Sequence, residues 1–299
     1  MSSSPRKPPK PRRADAKKRG HGGAGAPVGL SVRFWGVRGS VPSPGPDTAR
    51  YGGNTPCVEV YAGTERIIFD LGTGVRELGE AAGGPVVAHV FISHYHYDHL
   101  QGLPFFGPIF HPQSRFLVRG PTRNGRTVKE TLASQMQQPF FPVTTDVFRA
   151  QVEYQPFEAG DRARLGEAVV SAIEANHPGG NLAYRVDFKG KSVVYATDTE
   201  HGDRDEQLIE FARKADVLIY DAMYTDDEYL GREGSPKIGW GHSTWQNAVK
   251  IAADADVGTL VLFHHDPTRS DDALDALVKE VKRHRKATVA AREGLVLKL

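Results

Sequence analysis

His94-Tyr95-His96-Tyr97-Asp98-His99 places three imidazoles and one carboxylate within six consecutive positions. Imidazole nitrogens and carboxylate oxygens are the donors that hold divalent cations, and at this density they suit zinc, with manganese or iron as alternatives. In an extended chain, residues two apart project to the same side, so His94 and His96 can grip one ion together. A turn after them lets Asp98 and His99 face a second ion beside the first. A polar loop that satisfies itself would not need this concentration of ligand-type side chains.

Two ions need more donors than these four. Further along the chain, His177 precedes Pro178-Gly179-Gly180, Asp198 stands in Tyr-Ala-Thr-Asp-Thr-Glu, and His264 stands in Leu-Phe-His-His-Asp-Pro. A lone histidine at a strand end is commonly structural, but each of these follows an apolar run, where loops carry active-site groups. A carboxylate at Asp198 could bridge both ions.

The elements that must position these residues are legible as alternating and apolar runs. Strands are expected at 31–37, 57–62 and 66–71, with a turn at Gly63-Thr64, and a buried strand at 86–93 runs into the histidine cluster. A later group of strands is expected at 168–175, 182–188 and 192–196, the last two joined by a Lys189-Gly190 turn. The second half then alternates helix and strand: helix 203–214, strand 216–221, helix 243–254, strand 258–263 and helix 271–285. In the 243–254 helix, Trp245, Ala248, Val249, Ala252 and Ala253 are expected on one face, with Ser243 and Gln246 as a capping box. Leu274, Leu277, Val278 and Val281 form the apolar stripe of the last helix. Two packed sheets with helices outside would accommodate this pattern. Residues 104–160, punctuated by seven prolines, are expected to form loops and one helix near 127–137 that overhang the site.

The 299 residues suffice for a large core. Cys57 is the one cysteine; it excludes an internal disulfide and a cysteine-rich zinc site, and it reads as a small core residue in a reducing cytoplasm. No apolar run approaches the roughly 18–20 residues of a membrane span, and the N-terminus lacks the apolar centre of a secretory signal. Net charge is +2, but residues 1–20 hold eight Lys or Arg against one Asp, leaving about −5 on the remainder. Residues 1–28 are therefore expected as a disordered, basic, proline-rich tail, and 29–299 as one domain. A mildly acidic body is not a dedicated nucleic-acid clamp.

The ordered series HYHYDH, ANHPGG, ATDTE and LFHHDP resembles the ligand series of the metallo-β-lactamase superfamily. The stretch GHSTWQNAVKIAADADVGTLVLFHHDP is similar to the C-terminal half of ribonuclease Z and its phosphodiesterase relatives. The resemblance runs from about Ser31 to the C-terminus. It implies an α/β (α+β) protein, an αββα sandwich of two mixed β-sheets flanked by helices. It also implies two divalent ions, one held by His94, His96 and His177, the other by Asp98, His99 and His264, with Asp198 and a hydroxide bridging them. Two cations about 3.5–4 Å apart lower the pKa of a shared water and neutralise phosphoryl charge, with Asp98 orienting the attack. His242 in Gly-Trp-Gly-His-Ser-Thr resembles the family's catalytic histidine and could protonate the leaving oxygen. Its place beside a helix start disfavours an imidazolium, so an acid role needs a carboxylate partner. Asp221, closing strand 216–221, resembles the acidic residue of that place. Asp70 in Phe-Asp-Leu-Gly-Thr-Gly resembles the family's Asp-x-Gly-x-Gly element and reads as a support for a ligand histidine.

Arg38 and Asn54, in glycine-rich loops, and His265 are candidate substrate contacts, and turn stabilisation accounts for the first two equally well. His21, His89, His111, His201 and His284 carry no ligand pattern. The long arm by which ribonuclease Z grips transfer RNA lies between the elements matching His177 and Asp198, and here those residues are only 21 apart. The resemblance therefore points to a small phosphodiester, a cyclic nucleotide or cyclic phosphate, as substrate. A single-strand or 3′-end nuclease is the second reading, thioester or lactone hydrolysis ranks lower, and a nucleotide or metal sensor without turnover is the non-enzymatic alternative. No membrane partner is expected, and relatives suggest a homodimer.

Overall fold

The computed structural model describes residues 29–299, so the expected disorder of residues 1–28 lies outside the described residues. In chain order, the first half comprises β1 (Leu30–Gly36), β2 (Cys57–Ala62), β3 (Glu65–Phe69), α1 (Gly74–Ala82), β4 (Val87–Phe91), β5 (Arg115–Gly120), α2 (Val128–Ser134) and β6 (Gln151–Pro156). The second half opens with β7 (Arg162–Leu165), β8 (Ala168–Ala175), β9 (Asn181–Phe188), β10 (Lys191–Ala196), α3 (Asp205–Ala212), β11 (Val217–Asp221) and α4 (Asp226–Tyr229). It closes with α5 (Trp245–Asp254), β12 (Thr259–Phe263), α6 (Asp271–His284), β13 (Thr288–Ala290) and β14 (Val296–Lys298).

These strands make two seven-stranded sheets, ordered β14-β1-β2-β3-β4-β5-β6 and β13-β12-β11-β10-β9-β8-β7. Each sheet is antiparallel through its early hairpins and parallel beyond them, from β3 to β6 in one and from β10 to β13 in the other. The parallel strands need crossovers, and α1, α3 and α5 lie in them, which puts helices on the outer faces. The expected αββα sandwich follows.

Period-two alternation explains the burial. In β11, Val217 and Ile219 face the core between the sheets, whereas Leu218 and Tyr220 face the helices. The inter-sheet core is strongly aromatic at its centre. Phe69 stacks on Tyr195 and Tyr184 with ring centroids 5.2 and 5.3 Å apart, and Tyr184 donates its hydroxyl to the Ile92 carbonyl at 2.6 Å. That bond ties the second sheet to the end of β4, immediately before the histidine cluster.

Several local expectations are corrected. Residues 104–160 hold, besides loops and the expected helix, two unexpected strands: β5 and β6 extend the first sheet, and α2 begins with a capping box between Thr127 and Glu130. Helix α1 is not anticipated by the sequence pattern, because Gly74 and Gly79 weaken it; Gly79 is needed there, since a β-carbon would lie 2.8 Å from the Pro108 ring. Helix α5 is capped by Thr244, whose hydroxyl accepts from the Asn247 N–H at 3.1 Å, and not by Ser243 with Gln246. Its buried face runs through Trp245, Ala248, Ile251 and Ala252, leaving Ala253 exposed. No helix among the described residues is long and apolar enough to cross a membrane.

Candidate metal centre and active site

Every expected ligand sits at the C-terminal end of a strand, all at one end of the sandwich. His94, His96, Asp98 and His99 follow β4, His177 follows β8, Asp198 follows β10 and His264 follows β12. Asp198 and His264 adopt left-handed backbone conformations (φ 49° and 59°), as does Asp70 after β3 (φ 60°). Asp and His adopt this conformation more readily than most non-glycine residues, and here it turns the chain sharply at the end of each strand.

The ligand atoms fall into two groups that meet at one carboxylate. Those of His94, His96 and His177 lie within 4.8 Å of one another, as do those of Asp98, His99, Asp198 and His264. Asp198 spans both: its Oδ2 is 3.7 Å from His94 Nε2, while its Oδ1 is 3.2 Å from His99 Nε2 and 3.3 Å from His264 Nε2. Asp98 Oδ2 lies 3.3 Å from His99 Nε2 and 3.2 Å from His264 Nε2, and accepts the Ser40 N–H at 2.8 Å.

The donor set fits divalent cations. His94 Nε2 and His99 Nε2 are buried without a hydrogen-bond partner, an arrangement that costs free energy unless something else satisfies them. Burial and the neighbouring His99 hold the His94 imidazole well below its ordinary pKa, so it presents a lone pair. For His99, burial opposes protonation, but the carboxylates of Asp198, Asp98 and Asp70 outweigh it and push its pKa well up. The protein thus gathers carboxylates around a point where positive charge is favoured.

Other groups fix the rings. The His99 Nδ1–H donates to Asp70 Oδ2 at 2.8 Å, and Asp70 also accepts from the Ser93 N–H and hydroxyl and from the Tyr195 hydroxyl. Asp70 thereby fixes the orientation of the His99 ring, as the sequence reading expects of a residue supporting a ligand. His177 Nδ1–H donates to the Gly241 carbonyl at 2.8 Å, which turns Nε2 toward His96. The loop carrying that carbonyl is clamped by Glu200, whose carboxylate accepts from the Gly239 and Gly241 N–H groups and the Tyr229 hydroxyl. Sequence reasoning misses Glu200, although it stands two residues after Asp198; nothing local distinguishes it from a surface glutamate.

His242 donates Nδ1–H to Asp221 Oδ2 at 2.8 Å and stacks on His264, with centroids 4.9 Å apart. Burial works against its protonation, yet the charge and hydrogen bond of Asp221 raise it to about 9. The carboxylate partner that an acid role requires is present.

The candidate substrate contacts fare differently. Arg38 is fully buried, with Nε donating to the Gly52 carbonyl and Nη1 to the carbonyls of Asp266 and Arg269, beside Asp271 at 3.7 Å. His265 is 1% exposed and donates to the Ala291 carbonyl, and burial lowers its pKa to about 3. Asn54 uses its carbonyl for the Val37 and Arg38 N–H groups and its own N–H for Glu293. Arg38 and His265 are structural struts of the loops behind the site, and Asn54 is tied into the same loops through its main-chain carbonyl and N–H. The open cavity beside the ligands, about 560 Å³, is lined instead by His94, Tyr95, His96, Arg123, Asn124, Arg126, Thr131 and the Pro178–Gly180 turn. His201 bonds the Ser243 hydroxyl and joins no ligand group.

Residues 65–265 match the model of the β-lactamase superfamily domain. The chain belongs to the metallo-β-lactamase superfamily. The chain is a metal-dependent hydrolase. A ribonuclease Z of Pyrococcus furiosus is 24% identical over an alignment of 305 positions, covering 84% of this chain and 91% of that one. Among solved structures, the metallo-β-lactamase fold protein YhfI from Bacillus subtilis superposes with TM-score 0.68 at 20% identity, covering 90% of this chain and 99% of YhfI. A diphosphatase from the PhnP family superposes with TM-score 0.67 at 19% identity, over 90% of this chain and 98% of its own. Both share the fold.

Proposed function

We propose that this superfamily member is a two-metal phosphodiesterase that hydrolyses a small phosphodiester, a cyclic nucleotide or a small cyclic phosphate. The observation that carries the reading is the His242–Asp221 pair beside the ligand cluster. Cleaving an ester to an alkoxide requires a proton at the leaving oxygen, and a carboxylate-backed imidazole supplies one. With Nδ1–H committed to Asp221, the transferable proton resides on His242 Nε2, which no described residue engages.

His94, His96 and His177 would hold one ion, Asp98, His99 and His264 the other, and Asp198 both. Zinc suits these donors best, with manganese or iron as alternatives. Such a pair, when bound, supplies an acidified water and neutralises phosphoryl charge. Asp98, held by Ser40, aligns the attacking water, and Asp221 keeps His242 oriented and charged.

Support for a small substrate comes from the link between His177 and Asp198. Strands β9 and β10 and two tight turns account for it, leaving no length for a projecting RNA-gripping arm. A single-strand or 3′-end nuclease is the second reading, favoured by the likeness to ribonuclease Z over 91% of that protein's length.

The acid assignment is tested with His242→Ala. Metal content should stay intact while turnover of an ester with an alkoxide leaving group falls by about 10²–10⁴-fold. A nitrophenolate ester, which needs no proton, should suffer much less. Unchanged rates on the alkoxide ester would remove His242 from the reaction.

A further inference from the structure

The loop that precedes His242 holds large apolar side chains in solvent on a backbone that is tied down at each residue but one. Lys237-Ile238-Gly239-Trp240 closes a turn, with the Trp240 N–H donating to the Lys237 carbonyl at 3.1 Å, and Gly239 supplies the positive φ of 82° that the third position of a type II turn takes. The Lys237 N–H donates to the Tyr229 carbonyl at 2.9 Å. Gly239 and Gly241 turn their N–H groups inward to the two oxygens of Glu200, at 2.7 and 2.9 Å. Ile238 and Trp240 alternate with these glycines and remain 61% and 55% exposed, whereas the other two tryptophans, Trp35 and Trp245, are buried. A fixed loop that leaves its indole in water forgoes the burial this side chain normally supplies to a core. A ring so placed can meet a ligand with little further ordering.

The loop also abuts the candidate ligands. A β-carbon on Gly241 would lie 2.2 Å from His177 Nδ1 and 2.5 Å from Pro178 Cδ, so the chain runs directly against the His177–Pro178 corner, and Pro178 lines the cavity. Trp240 therefore neighbours in sequence the residue whose carbonyl orients His177, and it stands two residues before His242. Lys237 Nζ lies 4.3 Å from the indole centroid and covers one face of the ring. The surface that remains open suits a flat, apolar group, which gains both area and ring–ring attraction by stacking there.

We propose that Trp240 is a specificity-determining residue that stacks against a planar ring carried by the leaving alcohol of the substrate. The inference rests on the phosphodiesterase reading, which puts the leaving oxygen at His242 Nε2. The group attached to that oxygen then extends along the loop that carries His242. Stacking at Trp240 sorts a cyclic nucleotide from a small cyclic phosphate without a ring, two substrates that the ligand cluster and the His242–Asp221 pair treat alike.

Binding and turnover separate the two claims. Calorimetry on zinc-loaded full-length protein compares adenosine 5′-monophosphate with ribose 5-phosphate. The nucleotide should bind about tenfold more tightly, the scale of one base on one aromatic ring. It should also quench tryptophan emission, which ribose 5-phosphate should leave unchanged. Trp240→Ala should keep its zinc and lose the preference, and Trp240→Phe should retain part of it. Val87→Ala, which truncates an exposed apolar side chain at the opposite end of the sandwich, should preserve the preference in full. Equal affinities in the wild type, unaltered emission, or a preference that survives Trp240→Ala overturns the assignment. Turnover is measured on adenosine 3′,5′-cyclic phosphate and on glycerol 1,2-cyclic phosphate. Hydrolysis of neither, with the Trp240-dependent binding preference intact, would refute the phosphodiesterase reading while leaving the role of Trp240 standing. Hydrolysis of both, with neither their kcat/KM ratio nor the binding preference responding to Trp240→Ala, would do the reverse.

Discussion

Replacing Arg38 by Met distinguishes a strut from a substrate contact. The thioether keeps much of the side chain's packing and deletes the guanidinium. Three carbonyl acceptors then lose charge-assisted bonds of 2.7–3.1 Å, at Gly52, Asp266 and Arg269. Such bonds contribute roughly 1.5–3 kcal/mol each, so their sum approaches about 9 kcal/mol at most. Two effects reduce it. Burial already disfavours the charged guanidinium, which lowers its pKa, and Asp271 retains the backbone N–H donors of Arg50 and Tyr51. A net loss of about 3–5 kcal/mol is expected, typical of breaking a buried polar network from one side. At a few degrees per kcal/mol, Tm should fall by about 10 °C. Thermal and urea unfolding would be followed by circular dichroism at a fixed zinc excess, because bound metal stabilises by mass action. A loss below about 1 kcal/mol, accompanied by a tenfold rise in KM, would refute the structural assignment and return Arg38 to the substrate.

Two further substitutions probe the centre. Asp198→Ala should strip or disorder both metals, because one carboxylate faces both ligand groups; full metal content by elemental analysis with normal turnover would deny it the bridging role. Gly241→Ala would place a β-carbon 2.2 Å from His177 Nδ1 and displace the ring that Gly241 itself orients. Zinc affinity, measured by chelator competition, should fall about 10–100-fold, and an unchanged affinity would show that the loop yields freely.

The candidate metal ligands are legible in sequence because ligand chemistry dictates residue type. HYHYDH after an apolar strand is a costly arrangement unless a cation satisfies it, and the structure brings His177, Asp198 and His264 to it. The strand expected at 168–175 occupies those same residues, since burial alternates from Ala168 through Ile173. Strands β5 and β6 escape the pattern. β5 lies between prolines, and β6 is an edge strand whose half-exposed pattern gives a weak periodic signal. The expected face of α5 is displaced toward Ala253, because alanine is tolerated on either face and Ile251 decides the orientation through packing. Arg38 and His265 read as substrate contacts because a glycine-rich loop and a ligand's neighbour suggest the cleft. Their true partners, Gly52, Asp266, Arg269 and Ala291, depend on how distant loops meet. The left-handed turn at His264, which redirects the chain after β12, has no signature in the residue itself. Glu200 illustrates the same limit, since its role exists only once the Gly239–Gly241 loop folds over it.

The most direct test of the central claim is a turnover panel on purified protein loaded with zinc or manganese. Cyclic nucleotides and small cyclic phosphates would be compared with single-stranded and 3′-tailed RNA and DNA under identical salt and pH. Selective hydrolysis of the small esters is predicted, since the compact His177–Asp198 hairpins provide no arm for a polymer. Selective cleavage of the polymers would contradict the account and establish a nuclease in its place.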